Sequence, residues 1–314
     1  MTSAPIPNSS TRLGRRPSMT KLQRREALLG YLFIVPWLLG FLFFVLGPFV
    51  ASLYLSFTTY SVLQSGKWIG LDNYTRAFSG DDRLFWQSLG NTAYYVLGSV
   101  PLRIVLGFVL ALLLNAKVRG LTIWRTIFYV PSVVPIVATS IIWVYLLNPR
   151  FGLINYGLGL IGLEGLPWLT SPDWAMPGLI LMSMTWVGVT MLIFLAGLQG
   201  IPQHLYEAAE LDGANRWQQL RHVTLPLVTP TLYFNIIINL INGFQVFTQV
   251  LIMTSGQGGP LNSTRVYMLH LFNFAFRDFQ MGYASALAWI LFMIVLILTF
   301  LMVRTSDRWV FYGN

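Results

Sequence analysis

The chain has no cysteine, three histidines and only 10% charged residues over 314 positions. Without cysteine there is no disulfide frame, no thiol nucleophile and no thiolate metal site. His204, His222 and His270 stand far apart. His270 falls in an expected outer loop with no histidine or carboxylate at ligand spacing, so it reads as a surface residue rather than a metal ligand. A phosphate-gripping Gly-x-x-x-x-Gly-Lys-Ser/Thr loop is missing as well: the only Gly-Lys, Gly66-Lys67, runs into Trp68. The Asn-x-Ser/Thr triplets at Asn8, Asn73 and Asn262 are of a kind that chance supplies.

What is abundant is apolar surface. At 55% apolar residues, the chain cannot cover a globule of its size with polar groups, and the solvent it needs is a lipid bilayer. A spanning helix takes about 20 mostly apolar residues. Such runs occur at 29–57, 92–114, 127–147, 176–198, 232–254 and 284–303. The expected fold is therefore all-α and polytopic, with six transmembrane helices and both termini on one side.

Basic residues choose the side. The termini and the loops sharing their face carry Arg12, Arg15, Arg16, Lys21, Arg24, Arg25, Lys117, Arg119, Arg125, Arg216, Arg221, Arg304 and Arg308. The opposite loops carry only Lys67, Arg76, Arg83, Arg150, Arg265 and Arg277. Both termini are expected to be cytoplasmic, in a prokaryotic plasma (inner) membrane. This sorting absorbs the net charge of +9, leaving no basic patch to suggest nucleic acid. Residues 1–28 read as a disordered basic tail, 29–303 as the six-span membrane domain and 304–314 as a second tail. The first apolar run is too long for a signal-peptide core, so a retained first span is expected.

Inside the spans there is no Asp or Glu. Ion-coupled carriers need such a group at membrane depth, so energy for uphill transport has to come from another subunit. A membrane enzyme needs a paired-His or Ser/His constellation, and none is visible; the chain reads as non-enzymatic. What the spans do contain is an amide stripe. Asn235, Asn239, Asn242 and Gln249, spaced +4, +3 and +7, fall within about 80° on an ideal helix, with Gln245 at the flank. Buried amides need partners. They suit a polyhydroxylated ligand, with Trp186, Tyr233, Phe244 and Phe247 as apolar surface for sugar rings; they equally suit bonding between helices. Arg103, the one charge within a span, is expected to meet a partner subunit or local backbone. Two other readings stay open: an anionic substrate group, or a shifted span boundary.

Between spans four and five, residues 200–229 read as helix, turn, helix. Gln203–Leu211 is rich in helix formers, Asp212-Gly213 forms a break, 214–223 resumes the helix, and Pro226 and Pro230 limit its end. Ala208 and Ala209 permit close approach, while Glu207, Glu210 and Asp212 offer charge to a basic rim. A docking element is expected, and an amphipathic helix lying on the membrane is the alternative. Three acids there would be repelled by anionic lipid.

At these residues the sequence resembles the permease subunits of bacterial binding-protein-dependent ABC importers. Their loop signature is met by Glu207-Ala208-Ala209, Gly213 and Leu225-Pro226, and Asp212-Gly213-Ala214 looks like the carbohydrate-uptake branch. The likeness extends to Gly70-Leu-Asp-Asn-Tyr74, Asn91-Thr92, Gly152-Leu-Ile-Asn155, Gly258-Gly-Pro260 and Ser263-Thr264. It implies that Glu207, Ala208, Ala209, Asp212 and Gly213 couple to a separate ATPase; the stripe's own chemistry is what puts Asn235, Asn239, Asn242, Gln245, Gln249 and Trp186 forward for the substrate path. It also implies a second related permease, two ATP-binding subunits that hold ATP and magnesium, and an extracytoplasmic binding protein that delivers a sugar or polyol. The chain has the short six-span form, without the inserted outer domain of maltose-type permeases, so maltose specificity does not carry over. A self-powered carrier and an importer of a glycerol-phosphate-type anion are the alternatives.

Overall fold

The computed structural model describes residues 20–62, 64–116 and 120–311. Arg12, Arg15, Arg16, Lys117, Arg119, most of the expected first tail and the last three positions lie outside the described residues. The helices are α1 (Lys21–Ser56), α2 (Asp72–Ser79), α3 (Phe85–Asn115), α4 (Leu121–Val133), α5 (Ile136–Leu146), α6 (Leu153–Leu160), α7 (Pro172–Gln199), α8 (Gln203–Leu211), α9 (Arg216–Phe244), α10 (Thr248–Met253), α11 (Tyr267–Phe276) and α12 (Met281–Ser306). Among the described residues there is no strand, only two isolated bridges.

The chain divides into two compact units, Met1–Ser52 and Leu53–Asn314. In the first, α1 starts earlier than the apolar run. Thr20 closes a capping box with Gln23, so 21–28 are helical rather than part of a disordered tail. A π-helical turn, Leu42–Leu46, precedes Pro48.

In the second unit α9 repeats this device: the π turn Leu220–Thr224 ends two residues before Pro226. A proline ring clashes with the carbonyl four residues back, and a widened turn makes room for it. Pro230 also lies within α9. Its missing N–H would have bonded the Pro226 carbonyl, which instead accepts from the Thr229 hydroxyl at 2.6 Å. The two prolines therefore do not end the helix as the sequence suggested.

Helices α1, α3, α7, α9 and α12 are long and apolar enough to cross a bilayer, and α4 with α5 makes a sixth if counted as one span. That third expected span is not straight: α4 and α5 meet at 98°. Pro135 pushes Val134 out of the helical region to φ −65°, ψ 133°, as the residue before a proline is commonly pushed.

The centre of the second unit is a trio, α3, α7 and α9, and each helix brings a glycine to its neighbour. A Cβ on Gly107 of α3 would stand 2.7 Å from Thr190 Cγ2 in α7. One on Gly197 of α7 would collide with Thr231 in α9, and one on Gly243 of α9 would stand 3.1 Å from Val96 Cγ2 in α3. In lipid, where apolar surface gains little by leaving its solvent, such close backbone approach is a main source of packing energy. Helix α11 packs on α3 and α12, and α10 packs on α5.

At the end of the trio away from α8, motif side chains satisfy loop backbone. Asn73 Nδ2 donates to the Ser56 and Thr58 carbonyls at 2.8 and 2.9 Å. Asn91 Nδ2 donates to the Asn262 and Arg265 carbonyls, and Thr92 Oγ1 accepts from the Tyr267 amide. Asn155 Oδ1 accepts from the Leu166 amide and the Trp168 indole. His270 belongs to this end and corrects its expected surface position: it is fully buried in α11, with Nε2 2.7 Å from Asp82 Oδ2. The hydroxyl of Tyr283 donates to the same oxygen at 2.7 Å. Sequence spacing hid this pair because Asp82 lies 188 positions away.

Candidate functional site

Two places bring the expected residues together. The first is a cavity of about 370 Å3 bounded by α3, α5, α7, α9 and the 245–249 segment. Its walls include Asn239, Asn242, Gln245, Gln249 and Trp186, together with Arg103, Tyr95, Thr190 and Phe247. The volume falls at the small end of ligand sites, and the wall is a mixture of amides and aromatic surface.

The amides reach the cavity by a route that differs from the expected straight helix. Asn235, Asn239 and Asn242 do share α9, but α9 ends at Phe244 and Gln245 follows it as the C-cap. Phe247, at φ −147° and ψ −65°, turns the chain into α10. Gln249 thus sits on a different helix from the asparagines, and the turn returns it to the same cavity. Asn235 is the exception. It is 0% exposed, lies outside the cavity wall, and donates to the Thr231 carbonyl at 3.0 Å. Of the aromatic candidates, Trp186 and Phe247 line the cavity. Phe244 is buried elsewhere, and Tyr233 packs edge-on against Trp309 at 5.9 Å.

Arg103 finds its partner in its own chain. Its Nη1 donates to Asn239 Oδ1 at 3.0 Å, crossing from α3 to α9. Asn239 Nδ2 donates in turn to the Asn235 carbonyl at 2.9 Å and contacts Thr190 Oγ1 at 3.4 Å. The amide in the middle of the stripe therefore both braces three helices and faces the cavity. Thr190 and Tyr95 carried no signal in the sequence, being single polar residues within apolar runs.

The second place is α8 and its turn. Gly213 adopts φ +79°; its amide bonds the Glu210 carbonyl and the Ala214 amide bonds the Ala209 carbonyl. This double closure is a Schellman motif, whose left-handed position favours glycine. Asn215 then caps α9 in a capping box with Gln218. The Tyr206 hydroxyl meets Thr224 Oγ1 at 3.0 Å and ties α8 to α9 across the turn.

Glu207 is exposed, as are Ala208, Asp212 and Gly213, while Ala209 is half-buried. The Glu207 carboxylate accepts from Gln203 Nε2 at 3.0 Å. Two residues the sequence reading missed stand beside them: Leu211 is 90% exposed and Trp217 is 68% exposed. Leu211 is the last residue of the short, capped helix α8, and Trp217 lies in the first turn of α9. The signal was present as an apolar residue directly before the Asp-Gly break. Among the described residues no cluster of His, Asp and Glu could hold a metal ion.

A family model for a binding-protein-dependent transport system inner membrane component matches residues 103–312. The probable ABC transporter permease protein YesP of Bacillus subtilis (strain 168) is 45% identical over 293 residues, covering 93% of this chain and 94% of its own length. The lactose transport system permease protein LacF of Rhizobium radiobacter is 35% identical over 290 residues, covering 90% and 96%. Among solved structures, a chain in the crystal structure of a bacterial alginate ABC transporter in complex with an alginate pentasaccharide-bound periplasmic protein is similar with a TM-score of 0.78. That chain is 26% identical, and the match covers 92% of this chain and 96% of that one.

Proposed function

Because this chain belongs to the binding-protein-dependent transport system inner membrane components, a family of non-catalytic, multi-pass permease subunits of ABC importers, we propose that it lines half of a path for a sugar or related polyol. ATP-driven closure of two partner ATPase subunits moves the solute, a second related permease completes the path, and an extracytoplasmic binding protein delivers the cargo. ATP and magnesium belong to the ATPases. The observation that carries this reading is the pairing of an exposed, rigidly capped α8 with an amide-lined cavity reached by the continuous helix α9. Force applied at α8 reaches Asn239 and Asn242 along α9 because Tyr206 and Thr224 join the two helices.

Glu207, Ala208, Ala209, Asp212 and Gly213 form the coupling surface in this proposal, with Leu211 added from the structure. This surface and both termini face the cytoplasm, a placement supported by the unequal basic residues of the loops. The cavity amides, with Trp186 as a ring platform, favour polyhydroxylated cargo, and the lactose and alginate systems among the similar proteins fit that chemistry. Asn235 acts in helix packing here rather than on the path.

The test is co-purification of the tagged chain from mild detergent beside Glu207→Lys, with mass spectrometry of the associated proteins. Recovery of an ATPase and a second permease, with the ATPase reduced in the variant, is expected. A chain that purifies alone and transports in vesicles without ATP overturns the proposal.

A further inference from the structure

Arg103 raises a question that the coupling surface and the amides leave open. It is a permanent cation, 9% exposed, in the wall of the cavity. Its bonding partners are neutral, the Asn239 amide and the Tyr95 hydroxyl, and its Nε has no hydrogen-bond partner. Among the described residues, no Asp or Glu lines the cavity, and neither does a second Lys or Arg. The cavity therefore carries one uncompensated positive charge at membrane depth, where such a charge is costly and is kept for a partner of opposite sign. The Asn239 bond supplies no charge, but it holds the guanidinium in place between α3 and α9.

We propose that Arg103 selects cargo carrying one negative charge per bound unit, namely a sugar with a carboxylate, such as a uronic acid residue. This inference rests on the sugar-importer reading above. The fork of the guanidinium fits a carboxylate, and the amides and Trp186 beside it fit hydroxyls and a ring face. Charge matching selects carboxylate over phosphate. A phosphate ester brings a charge of about −1.5 to −2 at neutral pH, and one guanidinium leaves the excess uncompensated in a site of low dielectric.

The experiment uses the complete importer with its own binding protein in proteoliposomes. The probes are galacturonate, which carries one carboxylate, its neutral counterpart galactose, and galactose 1-phosphate. The readout is the ratio of charged to neutral uptake. In the native chain the galacturonate probe should be favoured. Arg103→Gln should lower the ratio of galacturonate to neutral uptake by tenfold or more, and Arg103→Lys should lower it less. Asn239→Asp serves as a second variant if Arg103→Gln fails to fold: it keeps the bond to Arg103 but cancels the charge, and should also lower the ratio. A native importer that takes only the neutral probe, or favours the phosphate, overturns the inference and leaves the sugar reading standing. A ratio that the variants do not move also overturns it, reducing Arg103 to a brace. Uptake of none of the three sugars sinks the sugar reading itself.

Discussion

His270 and Asp82 form a buried pair in which the donor and acceptor roles can be assigned. Arg265 Nε, which can only donate, meets His270 Nδ1 at 3.2 Å, so Nδ1 accepts and Nε2–H is left to donate to Asp82 Oδ2 at 2.7 Å. The imidazole is neutral in this arrangement, and Asp82 receives a second bond from Tyr283. These contacts join the segment before α3 to α11 and α12.

The pair sets an acid limit. Burial by itself pushes the Asp82 carboxyl up, but the bonds from His270 and Tyr283 outweigh it and hold the group below its ordinary value. A depressed carboxyl contributes stability that is present above the unfolded value of about 4 and is lost as pH falls through the lower folded value. Melting curves in detergent between neutral and strongly acid pH should show this loss. In Tyr283→Phe, one lowering bond is gone and the folded value moves up toward the unfolded one, so the acid loss should be smaller and should end at higher pH; an unmoved acid limb contradicts the assignment. His270→Ala should cost about 1–3 kcal/mol at neutral pH, the typical penalty for a buried group deprived of a partner.

The glycine contacts of the central trio predict a contrast within one helix. Gly107→Ala puts a methyl 2.7 Å from Thr190 Cγ2 and 3.2 Å from the Met191 amide nitrogen, and should destabilise by about 1–3 kcal/mol. Gly90→Ala, also in α3, meets nothing within 4 Å and should be neutral or stabilising by up to about 1 kcal/mol. Thermal midpoints of the two purified variants check this. Equal midpoints would remove close approach as the reason for Gly107.

Thr229 and Pro230 should behave as a coupled pair. Thr229→Val leaves the Pro226 carbonyl without its 2.6 Å donor and also removes the acceptor of the Phe311 amide, a loss of roughly 1–2 kcal/mol. Pro230→Ala restores the backbone N–H that the carbonyl lacks, so the Thr229→Val loss should shrink in that background. Additive losses in the double-mutant cycle would argue against the compensation.

Leu211 should matter for coupling and little for folding. Its side chain is 90% exposed, so Leu211→Ala should shift the thermal midpoint of the isolated chain by no more than the equivalent of ~0.5 kcal/mol. In the assembled importer the same change should reduce ATPase association or transport-linked ATP hydrolysis several-fold, as loss of a docking knob would. Unchanged hydrolysis and association would show that the residue lies outside the contact.

Several features were legible in the residues because they depend on neighbours along the chain. Helix α8 occupies the expected Gln203–Leu211, since propensity, the Asp-Gly break and the left-handed glycine are local. Apolar runs marked the spanning helices because lipid requires backbone bonds to be satisfied within each helix. The amide stripe was visible as a set of side chains expensive to leave facing lipid.

Other outcomes depend on what lies across space. The 98° bend after Val133 had a local sign in Pro131 and Pro135, yet a proline in α9 only accompanies a π turn while Pro135 breaks the path. A proline creates one missing donor and one clash, and neighbouring groups decide whether a side chain such as Thr229 repairs the helix or the chain turns. Gln249 joined the cavity through a turn rather than along one straight helix. Arg103 found Asn239 at a separation of 136 residues, and His270 found Asp82 at 188. Sequence alone determined that Arg103 and the amides needed partners, because burying them unsatisfied is costly, and gave no such sign for His270. Only the tertiary structure, by bringing α3, α9, α11 and α12 within hydrogen-bond distance, decided which partners they have.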